Sequence, residues 1–380
     1  MHRELEVMDV LNEFYDVVSD PFRYGQKIKT EGNKKVIGFF CSYTPEEIIL
    51  AAGAHPMRMF GTKGDITMAD AHLQSYCCSL VRGALEDALT GRLAFLDGTV
   101  FPHTCDSIQR LSDVWRLNTD FSFFWDVVLP VKLDTASARD YLVEVLKRFT
   151  RDLEKGLRVD ITTGKLRHAI KTYNIIRESL GTLYTMRAQN PHNVSGSDIH
   201  AIVKASMLMD RDYLARILPG TIEALKTRDR EASPRRKKRI VLAGSICDHP
   251  DVYRVLDDAG GVVVGDDLCT GARYFDGKID MHDDLIVALA RRYMARPICP
   301  AKHMSLTARG ENLVRIVRES KADGVIFLLL KFCDPHSFDY PYMKAYLDRE
   351  GIPSMLLEIE DQLPSEGQLL TRFETFMHMI

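Results

Sequence analysis

The sequence predicts an α/β protein: two α/β domains with parallel sheets, joined by a helical subdomain. Three observations carry this. Residues 34–134 alternate short apolar runs with helical patterns, residues 135–233 carry long helical patterns with no strand between them, and the alternation resumes over 234–380. Residues 1–33 stand in front as an N-terminal helix and connector. At 380 residues the chain is too long for one ordinary core, which agrees with more than one domain.

The elements follow in order. His2 to Val18 places Leu5, Met8, Leu11, Phe14, Tyr15 and Val18 at helical spacing, and Pro21 to Asn33 reads as a polar connector. Val36 to Phe40 is a buried strand ending at Cys41-Ser42-Tyr43. Thr44 is placed to cap a short helix, with Pro45 in its first turn, Glu47 as the capping-box carboxylate, and Gly53 as its left-handed stop. A second strand lies near Met57 to Phe60. Helix, strand, helix, strand follow at Cys78–Leu89, Phe95–Phe101, Asp106–Leu117 and Phe121–Pro130. The middle third holds helical patterns at Ser137–Lys155, Gly164–Arg187, Ser197–Met209 and Arg211–Lys226, the third preceded by the Ser195-Gly196-Ser197-Asp198 turn and cap. Thr227 to Arg239 is the expected boundary. Its basic run, Arg235 to Arg239, reads as a solvated linker, since the net charge of -3 argues against a nucleic-acid partner. Beyond it, strands are expected at Ile240–Ala243, Gly261–Val264, Val325–Leu330 and Ser354–Ile359. The matching helices are Asp251–Asp258, Asp283–Ala295, Gly310–Ser320, Pro341–Glu350 and Glu366–Met379.

Composition narrows the function classes. A hydrophobic fraction of 46% and a charged fraction of 27% are those of an ordinary globular protein. No apolar run reaches membrane-spanning length and the first twenty residues are charged throughout, so a cytoplasmic protein with no membrane partner is expected. Eight cysteines in that compartment are buried small hydrophobes or ligands of a soft metal rather than disulfides. There is no Walker loop and no G-x-G-x-x-G, so neither ATP nor a dinucleotide has a signature.

The cysteines fall where elements meet. Cys78 opens a helix, Cys105 lies between a strand and a helix, and Cys247, Cys269 and Cys333 each follow a strand; Cys299 sits in Pro297-Ile298-Cys299-Pro300. Such positions gather distant residues on the rim of a sheet, and exposed amides at a helix N-terminus favour the thiolate that metals require. No C-x-x-C pair is present, which excludes zinc-ribbon and ferredoxin spacings. Six junction cysteines together favour a metal or iron–sulfur site. His103, His249 and His336 lie within three residues of such cysteines; each reads as a satisfied histidine or a proton donor. Asp266-Asp267 reads as a turn former or a cation site, and Arg82 and Arg110 as solvent-facing or thiolate-balancing groups. Ser42 and Tyr43 stand beyond the carboxyl end of the first strand, where parallel sheets bind ligands.

Taken in sequence, these motifs resemble the benzoyl-CoA reductase and 2-hydroxyacyl-CoA dehydratase family of iron–sulfur subunits. The resemblance rests on Gly38-Phe39-Phe40-Cys41-Ser42-Tyr43-Thr44-Pro45-Glu46-Glu47, the spacing Cys78 to Arg82, Thr104-Cys105-Asp106, and Ser195-Gly196-Ser197-Asp198. It continues through Asp267-Leu268-Cys269-Thr270-Gly271, Cys333-Asp334-Pro335, Gly351-Ile352-Pro353 and Glu366-Gly367-Gln368-Leu369. It implies a [4Fe–4S] cluster on Cys78, Cys105 and Cys333. The family's Cys-Pro at the first ligand is here Cys78-Ser79, preceded by Cys77, which is the fallback ligand. Within the family, Gly244-Ser245-Ile246-Cys247-Asp248 is most similar to the smaller catalytic subunit of ATP-dependent benzoyl-CoA reductases, with dehydratase subunits second. Double-cubane proteins are third; an [8Fe–9S] cluster would add Cys247, Cys269 and Cys299.

The resemblance further implies a larger homologous partner subunit and a separate ATP-hydrolysing activator that supplies low-potential electrons. An electron reaching a CoA thioester carbonyl makes a ketyl radical anion, the step shared by aromatic acyl-CoA reduction and 2-hydroxyacyl-CoA dehydration. Ser42 and Tyr43 are the candidates to stabilise that oxygen. A non-catalytic scaffold or electron-carrier subunit is the alternative of a different class. Cys41 is expected to close its strand as a small buried hydrophobe.

Overall fold

Strand β1 (Val36–Phe39) is buried at every position, as its uninterrupted apolar run requires of a strand covered on both faces. It is one of the two inner strands of a four-stranded sheet with β2 (His55–Arg58), β3 (Gly98–Pro102) and β4 (Phe123–Val127), in the order β2-β1-β3-β4. All three pairings are parallel; Gly38 lies opposite Met57 on one side and Thr99 on the other. A second sheet repeats the plan with β5 (Lys238–Gly244), β6 (Gly261–Asp267), β7 (Gly324–Leu330) and β8 (Ser354–Ile359), ordered β6-β5-β7-β8 and again wholly parallel. Between them run the helices Ala136–Leu157, Thr163–Gln189, Gly196–Ala205 and Arg211–Lys226. This computed structural model describes residues 2–227, 237–282, 284–296, 299–305, 307–360 and 362–380. Pro234, the start of the basic run and most of the expected boundary lie outside the described residues, as does Asp283 at the start of its expected helix.

In both sheets the chain first steps outward and then returns to the far side of the first strand. The carboxyl ends of β1 and β3, and of β5 and β7, therefore flank a topological switch point, where α/β sheets bind ligands. Both faces of the second sheet are packed. Ile240, Leu242, Ile326 and Leu328 enter a core shared with Phe40 and Phe101 of the first sheet, while Val241, Ala243, Val325 and Phe327 meet Leu313, Val317 and Leu347 on the other face. Gly244 has φ +137°, and a Cβ there would lie 2.0 Å from the Leu328 carbonyl oxygen, so only glycine lets β5 end this close to β7.

Three local expectations are corrected. The connector after the first helix is itself a helix, Pro21–Thr30, capped by the Asp20 side chain and started by proline. The helix after Cys333 begins at Asp334 rather than Pro341, running Asp334–Arg349 with Pro341 inside it. Thr44 does not cap the helix Glu46–Ala51: its hydroxyl donates to the Phe40 carbonyl (2.6 Å), and Pro45 occupies the cap position. Glu47 is fully buried and pairs with Arg177 instead of turning back to a backbone amide. A carboxylate without water needs a full counter-charge more than one amide hydrogen bond. The Ser195/Asp198 cap and the left-handed Gly53 (φ +78°) are as expected. No helix among the described residues is long and apolar enough to cross a membrane.

His55 and His200 are buried neutral. Burial lowers each from the ordinary 6.5 to about 3; Arg211 adds to the effect at His55, whereas Asp248 opposes it at His200. The unfolded chain therefore takes up protons at these positions before the folded one does. Stability contributed by the neutral rings is complete above pH 6.5 and is lost as pH falls toward 3, at about 1.4 kcal/mol per pH unit for each ring. Urea unfolding midpoints measured between pH 7.5 and 4.5 are expected to fall steadily below 6.5. Replacing His55 by Gln should flatten that slope.

Candidate functional site

Three cysteines stand at the N-caps of three helices. Cys78 precedes Ser79–Leu89, Cys105 follows β3 and precedes Asp106–Asn118, and Cys333 follows β7 and precedes Asp334–Arg349. Each comes from a different element, yet their sulfurs feel one another's charge: Cys333 is raised by Cys78 and Cys105, and Cys105 by Cys78. Burial pushes Cys78 up to about 11 and Cys105 up to about 12, and pushes Cys333 well above its ordinary value; amides of the first helical turns pull in the opposite direction. Thiols raised in this way stay protonated unless a cation joins them, and metal coordination removes those protons. The set suits a soft, cationic, sulfur-seeking group.

A second group lies beside the first. The side-chain ligand atoms of Cys269, Cys299 and His336 all lie within 4.8 Å of one another. The neighbouring Cys299 thiol holds the Cys269 thiol well below its usual value; Arg273 and His336 act in the same direction. The Arg273 guanidinium is buried, 3.3 Å from the Cys269 sulfur, and is held by Asp267 at 2.9 Å. Burial opposes the Asp267 charge, but Arg273 and Arg309 outweigh it and keep the carboxyl below its ordinary range. Asp266 instead forms the turn, accepting from the amides of Leu268 (3.2 Å) and Ala272 (2.8 Å).

The Ser245 backbone and hydroxyl set both loops. Its Oγ accepts from the Leu330 amide (2.8 Å) at the end of β7, three residues before Cys333, and its carbonyl accepts from the Cys269 amide (2.9 Å). Cys247 goes elsewhere. It is buried against His249 and Tyr253, with its backbone laced to Thr270, and burial pushes it up to about 12. It is not part of the group around Cys269 and Cys299, because the loop after β5 turns its side chain into the hydrophobic core.

Cys41 is half-buried in a left-handed conformation (φ +56°), close enough to raise both Cys105 and Cys299. The expected small core residue thus lies between the two groups. Beyond it, Ser42 accepts from Arg296 twice, through its carbonyl (2.6 Å) and its hydroxyl (2.8 Å). The same guanidinium covers the Tyr43 ring at 4.0 Å. The Tyr43 hydroxyl is buried, faces the Cys299 backbone, and has no hydrogen-bond partner among the described residues. Lys302 is 1% exposed, and Cys41, Cys299 and Cys105 support its charge against burial.

The remaining sequence candidates are placed as follows. His103 pairs with Asp126 (2.8 Å) and His249 with the Glu360 carbonyl (2.9 Å), whereas His336 joins the cysteines. Arg82 pairs with Asp70, and Arg110 with Asp106 and Asp113, on the surface. Cys77 is half-buried and pushed up by burial; Cys78 is the buried member of the pair. Sequence reading missed Arg273, Arg296, Lys302 and Ser245. Their only signal is a cation or hydroxyl near a junction cysteine, which is common on any surface.

Comparisons with known proteins accord with this geometry. The chain is 28% identical over 365 residues to the β subunit of (R)-phenyllactyl-CoA dehydratase from Clostridium sporogenes, covering 96% of this chain and 97% of that protein. It is 26% identical to the β subunit of (R)-2-hydroxyglutaryl-CoA dehydratase from Acidaminococcus fermentans, covering 98% of this chain and 99% of that protein. Against a benzoyl-CoA reductase subunit from Thauera aromatica the identity is 28%, covering 86% of this chain and 85% of that protein. Residues 41–380, which take in both sheets except strand β1, match the 2-hydroxyglutaryl-CoA dehydratase D-component family, and the chain belongs to it.

Proposed function

We propose that this chain is the cluster-bearing subunit of a two-subunit enzyme that activates an acyl-CoA thioester by one-electron reduction, with a [4Fe–4S] cluster on Cys78, Cys105 and Cys333. One observation carries the reading: the buried Cys78 and the half-buried Cys105 and Cys333, at three helix N-caps drawn from both sheets, are brought into mutual electrostatic reach. When bound, such a cluster supplies a low-potential electron to the thioester. The chain's own residues do the rest. Arg296 is fixed by Ser42 over the Tyr43 ring, which leaves the Tyr43 hydroxyl as the donor for a thioester oxygen. The buried Lys302 and Arg273 offset negative charge in a site shielded from water.

Dehydration of a 2-hydroxyacyl-CoA is placed first. Dehydratase β subunits align over 96% and 98% of the chain, against 86% for the reductase relative. Reduction of an aromatic acyl-CoA such as benzoyl-CoA, which the sequence motifs placed first, uses the same opening step. These relatives are each named as a subunit, which supports a partner subunit here; in this reading the partner is a larger homologue and an ATP-hydrolysing activator supplies the electron from outside this chain.

Iron and sulfide analysis of anaerobically purified protein tests this, with about four irons per chain expected. Iron-free, colourless protein after anaerobic reconstitution would overturn it. A second reading, an [8Fe–9S] double cubane, is favoured by the Cys269–Cys299–His336 group with Cys41 beside it. It predicts about eight irons, with Cys41 in the place that sequence reading had assigned to Cys247. Tyr43→Phe is expected to keep its iron and lower kcat of the reconstituted complex by about 10²-fold, the usual loss for one oxyanion donor. Unchanged kcat would remove Tyr43 from this role.

A further inference from the structure

A cleft of about 480 Å³ opens between the two N-terminal helices, the end of β2 and the helix Gly196–Ala205. One wall is apolar, made by Val18, Phe22, Met57, Phe60, Phe95 and Leu96. The other gathers Arg58, Lys63, His200, Lys204 and Asp248; Lys204 lies 4.9 Å and Arg58 5.6 Å from the Phe60 ring centroid. The charges do not balance. Lys63 and Lys204 share the single carboxylate of Asp248, at 3.5 and 2.5 Å, and Arg92 is matched by Asp87 at 3.1 Å. Arg58 has no carboxylate among the described residues. Its Nη1 donates to the Cys269 carbonyl (2.9 Å) and the Met207 sulfur (3.2 Å), and its Nη2, like the His200 Nε2, has no hydrogen-bond partner among them. Arg58 is 1% and His200 6% exposed, so bulk water does not compensate for what is missing.

We infer that this cleft binds a small organic acid, with its apolar body against the Phe22–Phe60–Phe95 wall and its carboxylate on the Arg58 Nη2 and the Lys204 ammonium. A guanidinium with a donor edge left over is the usual partner of a planar carboxylate. A volume near 480 Å³ is that of a small-molecule site. The inference rests on the cleft alone and not on the cluster, so an iron-free result would leave it standing.

The test is calorimetric titration of the full-length protein with 3-phenylpropanoate, with 3-phenylpropan-1-ol, and with 3-phenylpropanoyl-CoA. The acid is expected to bind at least about tenfold more tightly than the alcohol, because the alcohol leaves the cations unpaired. Arg58→Gln should lower the affinity for the acid about tenfold and leave that for the alcohol unchanged. Val18→Trp, which fills the cleft from a surface helix, should abolish binding of both. Should Arg58→Gln fail to fold, as judged by circular dichroism, Lys204→Met takes its place and should weaken the acid selectively. Equal affinity for acid and alcohol, or insensitivity of the acid to these variants, would overturn the inference. Tighter binding of the CoA thioester than of the free acid would overturn the assignment to a free acid.

Discussion

Cys333→Ala is expected to strip the purified protein of its visible absorbance and of essentially all its iron, while Cys247→Ala leaves both unchanged. The contrast follows from where each sulfur lies. Cys333 is carried to the rim by β7, which is buried along its whole length, and caps the helix Asp334–Arg349 facing Cys78 and Cys105. Cys247, one β-strand away, points into the core beside Tyr253. Two thiolates do not retain a cubane that needs three. Cys269→Ala separates the two cluster readings. A protein that keeps about four irons has a single cubane on Cys78, Cys105 and Cys333, and one that loses all its iron has a bridged site that depends on both groups.

Arg211→Met is expected to destabilise the protein by about 3–5 kcal/mol, the cost of leaving a buried carboxylate without its partner. Arg211 is fully buried. It reaches Glu46 (3.0 Å), the Tyr173 hydroxyl (3.0 Å) and the carbonyls of Pro56 and Met207 (3.0 Å each), so one guanidinium ties the helix Glu46–Ala51 to the middle helices. Denaturant midpoints read the loss, and the paired change Glu46→Gln with Arg211→Met should recover part of it. The surface pair Arg82–Asp70 is the control, since Arg82→Met should cost under about 1 kcal/mol. Equal effects of Arg211→Met and Arg82→Met would show that the buried network is not what holds these helices together.

Much of the architecture was legible because its signals are local. The strand Ser354–Ile359 and the helices Arg211–Lys226 and Glu366–Met379 lie where periodicity and capping residues placed them. The helix Pro21–Thr30 was missed because its apolar face is only Phe22, Tyr24 and Ile28 around Gly25 in an otherwise polar stretch, although Asp20-Pro21 is a good start signal. Glu47 was misread for a related reason. A capping box is a four-residue pattern, and nothing near Thr44 reveals Arg177, 130 residues beyond Glu47. The candidate site divides in the same manner. Placing the cysteines at junctions needed only the alternation of strands and helices, whereas separating Cys247 from Cys269 required the direction each side chain takes after its strand.

By itself, then, the sequence determined the α/β class, the parallel pairing implied by strand–helix alternation, and the set of thiols able to reach a sheet's carboxyl edge. Tertiary structure alone decided which of them meet. It put Cys41 beside Cys105 and Cys299, gave Cys269 the partners Cys299, His336 and Arg273, and turned Tyr43 into a buried hydroxyl without a partner among the described residues. The physical reason is range. Hydrophobic period and caps act over one or two turns, but the stretch from Ser42 to Glu46 is held in place by Arg296, Tyr293 and Arg211, residues 165 to 254 positions along the chain.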